Sequence, residues 1–251
     1  MGSRRRALIS VAVVFIGWEI IGRFIVANPL FFVPVSGILQ AGARLASTGE
    51  LWQDTYTSVV EAFLGFMVGL ASGLLIGGLI GMSRPARDYI EPWISALYST
   101  PVIALGPLFV LWFGLGVTSK VAVVAIMAIL PVIINTEAGL RNTDTNLIEA
   151  IGSFGASRWQ IFVKVRLPSS LPFIIAGARH GVARSLVGVF VAELFGARAG
   201  LGYRIFVSAQ NFRTAELFVG VFMLAGLGIL GVAGLKWAEK RLAPWRGEEA
   251  M

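Results

Sequence analysis

The sequence contains no cysteine and only one histidine, His180, among its 251 residues. The missing cysteines exclude disulfide bonds, thiolate metal sites and haem attachment, and one histidine cannot form a histidine metal cluster. We therefore expect neither a metal nor a cofactor bound in this chain.

Charge is also scarce. Only 14% of the residues are charged, compared with roughly 25% in soluble globular domains, while 56% are hydrophobic. Together with a mean hydropathy of +0.78, this composition predicts an all-α polytopic membrane protein. The net charge of +7 does not indicate nucleic acid binding, because the basic residues are scattered between apolar runs and not gathered on one soluble face.

Six apolar runs are long enough to cross a bilayer, which takes about 20 mainly apolar residues. With the N-terminus inside, thirteen Lys and Arg residues lie in the cytoplasm and five outside, and such an excess is typical of the cytoplasmic side. We expect six transmembrane helices and two cytoplasmic termini. The first run follows three arginines as in a signal peptide, but its length favours a retained helix. The runs cover about 7–26, 58–82, 90–113, 119–140, 171–196 and 216–238.

The second run contains "GFMVGLASGLLIGGLIG", in which glycine recurs every fourth residue. Four residues are slightly more than one helical turn, so these glycines form a groove along one side of the helix. Such a groove lets another helix backbone approach closely, which predicts a tightly packed bundle. The glycines are Gly65, Gly69, Gly73, Gly77 and Gly81.

The third run is interrupted by Pro92, Pro101 and Pro107. A proline inside a helix removes one backbone hydrogen bond and kinks the helix. Broken membrane helices are tolerated where they are buried in protein or line a wet cavity. The run is therefore a candidate wall of a permeation path, with candidate residues Tyr98, Ser99, Thr100 and Pro101.

The fifth run carries ionisable groups at membrane depth: Arg179, His180, Arg184 and Glu193. His180 and Arg184 are four residues apart and share a helix face, where they could act together on an anion. An interhelical ion pair, or an arginine reaching the cytoplasmic surface, is the alternative. Glu193 lies toward the outer end, where solvation, gate packing and solute contact all remain open.

Two other sets of ionisable residues lie within predicted spans. Glu61 belongs to the second span, and Glu19 and Arg23, spaced by four residues, belong to the first. We interpret all three as structural.

Familiar catalytic patterns are missing from the sequence. It has no G-x-x-x-x-G-K-[ST] loop, no H-E-x-x-H and no G-x-S-x-G, and no aspartate lies in any of the six runs. We expect a protein that is not an enzyme, so that any ATP hydrolysis belongs to a partner.

A polar segment, "EAIGSFGASRWQIFVKVRLP" (149–168), lies between the fourth and fifth runs. It predicts one short helix starting at Glu149, a flexible or closely packed Gly155, and a second helix from about Ser157. The prolines at 168 and 172 predict a break before the next membrane helix. The result is a cytoplasmic elbow with an exposed apolar face, to which Ile151 and Phe154 of the first helix and Trp159, Phe162 and Val165 of the second are assigned.

This segment resembles the EAA loop of binding-protein-dependent ABC importer permeases, with the pattern E-A-A, three residues, G, nine residues, I-x-L-P. Ile151 and Val165 are mild departures from it. The stretches "ALGPLFVLWFGLGVTSK", "GASRWQIF", "AGLGYRI" and "RLAPWRGE" resemble the nitrate, sulfonate, taurine and bicarbonate branch, which includes permeases for thiamine-pyrimidine precursors. Glu61 departs from the basic residue of many sulfonate and taurine members.

The resemblance implies the type I ABC importer permease fold, with one permease domain over 1–251 and a cytoplasmic coupling loop at 141–170. The implied function is ATP-driven import of a small anion of the nitrate, sulfonate, taurine or bicarbonate class, or of a thiamine-pyrimidine precursor. A stand-alone channel or secondary transporter would also explain the hydropathy but leaves the elbow without a purpose. The implied ATPase-coupling residues are Glu149, Ala150, Ile151, Phe154, Gly155, Ala156, Arg158, Leu167 and Pro168.

The resemblance also implies partners and a location. A second permease copy or a paralogue would complete the path, and two cytoplasmic ATP-binding subunits would bind ATP and Mg. A periplasmic or lipid-anchored protein would deliver the solute. The location would be the bacterial inner membrane, where lipid would surround the chain. The resemblance implies no nucleic acid partner.

Overall fold

The computed structural model describes residues 2–26, 28 and 30–242, which contain helices and no strand. Residues 243–251, including Arg246 and most of the "RLAPWRGE" segment, lie outside the described part. The helices are α1 (Gly2–Ile20), α2 (Val35–Ser47), α3 (Glu50–Met82), α4 (Arg84–Ser99), α5 (Gly106–Phe113), α6 (Val117–Arg141), α7 (Thr145–Ser153), α8 (Arg158–Ile161), α9 (Leu167–Leu194), α10 (Leu201–Gln210) and α11 (Thr214–Leu242).

Five segments of the described chain are long and apolar enough to cross a bilayer as single helical stretches. They overlap five of the six predicted runs, and the prediction of an all-α polytopic membrane protein is confirmed. The segments are Arg5–Ile25, Glu50–Met82, Val117–Arg141, Arg158–Leu194 and Thr214–Glu239.

The third predicted span, 90–113, is not one straight helix. It consists of α4 and the stretch Val102–Phe113, which meet at a bend of 88°. Thr100 at the break is extended, with φ −83° and ψ 129°. The ring of Pro101 disfavours the helical conformation of the residue before it, which places the break at this point. The span therefore crosses as a broken helix or turns back as a re-entrant loop.

The chain divides into two compact units. The first contains residues 1–59 and 197–226, and the second contains residues 60–196 and 227–251. The single permease domain over 1–251 stays a prediction.

In the second unit, α6 packs along α9 and along the glycine groove of α3. A Cβ atom on Gly65 would lie 2.4 Å from the Cβ of Val124, and one on Gly73 would lie 2.7 Å from the Cβ of Val132. A Cβ atom on Gly69, Gly77 or Gly81 would likewise lie 3.0 Å or less from an atom of α6. The spacing of the glycines thus explains how α3 and α6 approach so closely.

In the first unit, polar contacts fasten the end of α1 to the start of α2. The Glu19 carboxylate accepts hydrogen bonds from the backbone N–H of Ser36 at 3.0 Å and from its hydroxyl at 2.8 Å. Glu19 also forms an ion pair with Arg23 at 2.9 Å. The indole of Trp18 donates to the carbonyl of Val33 at 3.0 Å. These contacts agree with a structural role for Glu19 and Arg23.

A second charged cluster in this unit surrounds Arg204 of α10. The guanidinium forms ion pairs with Asp54 and, at 2.9 Å, with Glu50. Burial alone would lower the pKa of Arg204, but the hydrogen bonds to Asp54 and Glu50 outweigh it and raise the pKa above its usual value. The Asp54 carboxylate also accepts from the N–H of Gly200 at 2.9 Å. The start of α3 is thereby fixed to α10.

Candidate functional site

A cavity of about 550 Å³ lies in the second unit, beside the break between α4 and α5. Tyr98, Thr100 and Pro101 line it from the broken span, and His180 and Arg184 line it from α9. Five of the seven predicted path residues therefore come together.

The cavity is lined mostly by apolar residues, and its charged or chargeable polar groups lie on α9. Among the lining residues in the described chain, His180 and Arg184 have basic side chains, and no lining residue has an acidic side chain. The described residues contain no ion-pair partner for Arg184, whereas Arg179 pairs with Glu239 at 2.5 Å. The ion-pair alternative therefore applies to Arg179 and not to Arg184.

Ser99 and Glu193, the other two predicted path residues, do not line the cavity. The hydroxyl of Ser99 donates to the carbonyl of Ser95 at 2.9 Å, within its own helix. Glu193 is fully buried elsewhere in the second unit, in a cluster with Glu61 and Lys120.

The elbow begins earlier than the sequence predicts. The first helix, α7, starts at Thr145, and the side chain of Asp144 accepts from the N–H of Asn146 at 2.8 Å. Asp144 is therefore the N-cap, and Glu149 is exposed in the middle of the helix. The prediction that the helix starts at Glu149 is wrong, because the aspartate one residue before the first turn already fills the capping position.

Gly155 ends this helix through its backbone conformation. Its φ is +80°, its N–H donates to the carbonyl of Gly152 at 2.9 Å, and the N–H of Ala156 donates to the carbonyl of Ile151 at 3.3 Å. This pair of bonds is the Schellman motif, which favours glycine at the left-handed position. A Cβ atom on Gly155 would have no atom of the described chain within 4 Å, so close packing inside the chain is not the reason for glycine.

The second elbow helix, α8, runs into the next membrane helix without a break. Ser157 and Gln160 form a capping box at its start. A π-helical segment, Phe162–Arg166, then joins it to α9, and the stretch Arg158–Leu194 is one helical run of 37 residues. The predicted break at the prolines is wrong: Pro168 lies just after the π-helical turn and Pro172 lies inside α9, and the helical run continues past both.

Large apolar side chains remain exposed on the elbow. Phe154 is 90% exposed and Trp159 is 71% exposed, and Leu147 is also exposed. Val165 is buried, so the predicted common face of residues 159, 162 and 165 is wrong: the π-helical turn changes the spacing that would align them. The other predicted coupling residues are exposed (Ala150, Arg158, Leu167) or half-buried (Ile151, Ala156, Pro168).

A protein family described as "Binding-protein-dependent transport system inner membrane component" matches residues 65–246. The chain belongs to this family. It is thus the permease of an ABC importer, as the resemblance of the sequence implies. Such a permease works with ATP-binding and solute-binding partners and is not itself catalytic.

Two curated relatives match the permease over nearly its whole length. The aliphatic sulfonates transport permease protein SsuC of Bacillus subtilis is 35% identical over 96% of this chain and 87% of its own. The formylaminopyrimidine transport permease protein ThiX of Halalkalibacterium halodurans is 33% identical over 92% of both chains. Their names cover both solute classes suggested by the sequence.

A solved structure shares the fold of the permease. The MetNI methionine ABC transporter, in an inward-facing conformation, matches with a TM-score of 0.60 and 22% identity. The match covers 79% of this chain and 94% of that one. The type I permease fold implied by the sequence is supported by this likeness.

Two notable residues of the permease were not proposed from the sequence. Asn135 lines the cavity, and its amide donates to the carbonyl of Pro131 at 2.8 Å. A lone amide one turn after a proline inside an apolar run is a signal that could have found it. Lys120 is buried against Glu61. Their separation of 59 positions in the chain gave no such signal.

Proposed function

We propose that this permease imports a small organic anion, with sulfonates as the best-fitting class, through a path that includes the cavity at Arg184. The observation that carries the proposal is the presence of Arg184 and His180 in an otherwise mostly apolar cavity, with no acidic residue among the described lining residues. A guanidinium offers a planar set of donors that matches an oxyanion in a bidentate way. The volume lies within the roughly 300–1,000 Å³ range of small-molecule sites.

The acidic residue at position 61 does not oppose an anionic solute. Its carboxylate is paired with the Lys120 ammonium at 3.0 Å and does not line the cavity. Position 61, where this permease differs from many sulfonate and taurine permeases, therefore lies away from the groups that would touch the solute. The sulfonate permease named above, at 35% identity, supports the same class.

The elbow is the proposed seat of a cytoplasmic ATP-binding subunit. Exposed aromatic side chains such as Phe154 and Trp159 are costly in water and are typical anchors of protein interfaces. Two such subunits would bind ATP and Mg and drive two permease copies, or this chain and a paralogue. Closure of the ATP-binding subunits would move the elbows together and open the path outward, toward a periplasmic or lipid-anchored solute-binding protein.

The proposed orientation in the bacterial inner membrane, with both termini in the cytoplasm, has a direct test. The chain lacks cysteine, so single cysteines can be labelled without background. We expect cysteine at Ser47 or Gln210, both exposed in the first unit, to react with an impermeant thiol reagent added outside intact cells. Cysteine at the exposed Ser153 of the elbow should react only after the membrane is opened. The reverse labelling would overturn the orientation.

Replacing Arg184 tests the anion path. In vesicles containing the permease with its ATP-binding subunits and solute-binding protein, we expect Arg184→Gln to reduce uptake of labelled taurine or alkanesulfonate at least about tenfold. A lost charge-assisted hydrogen bond of about 1.5–3 kcal/mol corresponds to that change. Arg184→Lys keeps the charge and should retain part of the uptake.

The matched control is Arg84→Gln, which removes an exposed arginine at the start of α4 that neither lines the cavity nor belongs to the coupling loop. It should leave uptake nearly unchanged. Equal uptake by the wild type and Arg184→Gln would contradict the anion path. Uptake of an uncharged aminopyrimidine in place of the sulfonate, unaffected by Arg184→Gln, would support the alternative solute class instead.

A further inference from the structure

The polar groups that line the cavity differ in the hydrogen bonds they can form. His180 and Arg184 come from α9, and the guanidinium of Arg184 can only donate. Besides the phenol of Tyr98, two neutral polar side chains complete the lining: Thr100 at the break of the third span and Asn135 of α6. Both carry an oxygen atom that can accept, so the cavity offers acceptors in addition to a cation.

The amide group of Asn135 is held in one orientation by its own helix. Its nitrogen donates to the backbone carbonyl of Pro131 at 2.8 Å, one turn earlier in α6. A carbonyl oxygen can only accept a hydrogen bond, so the amide nitrogen and not the amide oxygen must face it. The oxygen therefore lies on the other side of the amide group, where it can accept a hydrogen bond from a solute.

The hydroxyl of Thr100 is restricted in a similar way. It donates to the backbone carbonyl of Ala96 at 2.8 Å, within the same span. Its single hydrogen is used in this bond, so its oxygen can only accept from a solute. Thr100 is exposed and Asn135 is half-buried, so a molecule in the cavity can reach both side chains.

The acceptor of Asn135 and the cation of Arg184 lie at different levels along α9. A Cβ atom on Gly177 would lie 2.8 Å from the Cβ of Asn135, which places Asn135 beside Gly177. His180 and Arg184 follow Gly177 on the same face of α9. The rise from Gly177 to Arg184 is about 10 Å. A solute whose acid group is held by Arg184 therefore reaches Asn135 with its opposite end.

We propose that Asn135, together with Thr100, is a specificity-determining residue that selects small sulfonates with a hydrogen-bond donor at the end opposite the acid group. An amino or a hydroxyl group is such a donor. The inference rests on the proposed anion path and adds a second contact to it. A plain alkyl end would remove water from the two acceptor oxygens without replacing the hydrogen bonds, which is unfavourable. A donor group supplies those hydrogen bonds.

A ratio of two uptake rates separates this selection from that of the solute-binding protein. Vesicles with the complete transporter receive labelled taurine or hydroxyethanesulfonate, which carry a donor, or labelled ethanesulfonate, which does not. Each solute is present at a concentration that saturates the solute-binding protein. Because that protein is the same in every sample, a change in the ratio between variants originates in the permease.

Asn135→Leu should lower the ratio of donor-bearing to plain sulfonate uptake. Leucine keeps the approximate shape of asparagine but has no acceptor, and the loss of one neutral hydrogen bond corresponds to about a 2- to 10-fold decrease. Thr100→Val should lower the same ratio, since valine replaces the hydroxyl by a methyl group. Thr100 is exposed, so this second variant keeps the proposal testable if Asn135→Leu does not fold.

The matched control is Thr136→Val, one residue further along α6. Thr136 is buried against Gly77 of α3 and does not line the cavity. Its hydroxyl oxygen has no hydrogen-bond partner among the described residues, so its removal should be tolerated. This variant should show the ratio of the wild type.

Arg184→Gln distinguishes this proposal from the anion path. It should lower the uptake of both kinds of sulfonate and leave their ratio nearly unchanged. A wild-type ratio in both Asn135→Leu and Thr100→Val would overturn the selection by Asn135, even if Arg184→Gln blocks uptake. A lowered ratio in Asn135→Leu, together with normal uptake by Arg184→Gln, would contradict the anion path and support the acceptor site.

Discussion

Gly77→Ala is expected to destabilise the permease, whereas Gly78→Ala, one residue further along the same helix, is not. A Cβ atom at Gly77 would lie 2.8 Å from the carbonyl oxygen of Ile133 and 2.8 Å from the Cβ of Thr136. Neither atom can move away without shifting the backbone of α6, and overpacking of this kind costs about 1–3 kcal/mol. At Gly78 no atom lies within 4 Å of the added Cβ.

The pair of variants separates packing from helix propensity. Alanine is favoured over glycine inside a helix by about 1 kcal/mol, so Gly78→Ala should raise the apparent melting temperature slightly. Thermal unfolding of the purified variants in detergent, followed by loss of monodisperse protein on size exclusion, measures both changes. Equal melting temperatures for the two variants would contradict the close contact of α3 with α6.

Gly155→Leu is expected to leave the permease inserted and folded but to abolish most of the solute-stimulated ATP turnover. A side chain other than glycine at φ +80° costs about 1–2 kcal/mol, which lowers the ratio of native to non-native elbow conformations roughly 5- to 30-fold. The elbow would then present Phe154 and Trp159 in the wrong arrangement to the proposed ATP-binding subunit. Copurification of that subunit and ATP turnover in vesicles are the measurements.

Two controls connect the effect to backbone conformation. Gly155→Asn should restore much of the turnover, because asparagine tolerates the left-handed region better than leucine does. Gly152→Ala adds a methyl group three residues earlier, where the backbone is helical and no atom lies within 4 Å, so it should be neutral. Full coupling in Gly155→Leu would argue against the elbow as the docking site.

The periodic features of the sequence predicted the architecture well. Apolar runs of span length and a glycine every fourth residue are local patterns, and the structure places five spans and the α3 groove accordingly. The elbow was found from its polar composition between two apolar runs. The first elbow helix begins four residues before Glu149, and the local signal for that start is the capping residue Asp144 followed by Thr145 and Asn146.

The prolines show what local reasoning does not resolve. Pro92 lies inside α4, Pro107 in the first turn of α5 and Pro131 inside α6, and only Pro101 coincides with the 88° bend. Whether a proline bends a helix strongly depends on how neighbouring groups satisfy the released carbonyl. That information lies in the packing, as does the pairing of Lys120 with Glu61.

The π-helical turn Phe162–Arg166 also bears on how the lengths of related chains are compared. A π-helical turn holds one residue more than the α-helix it interrupts, while the helices on both sides keep their orientation. A one-residue gap in an alignment at this position is therefore compatible with an unrotated α9. The same gap anywhere else between Arg158 and Leu194 would turn one part of the helix by about 100° relative to the other. In this permease the junction between elbow and membrane is the place where chain length can vary while the faces of α9 stay in register.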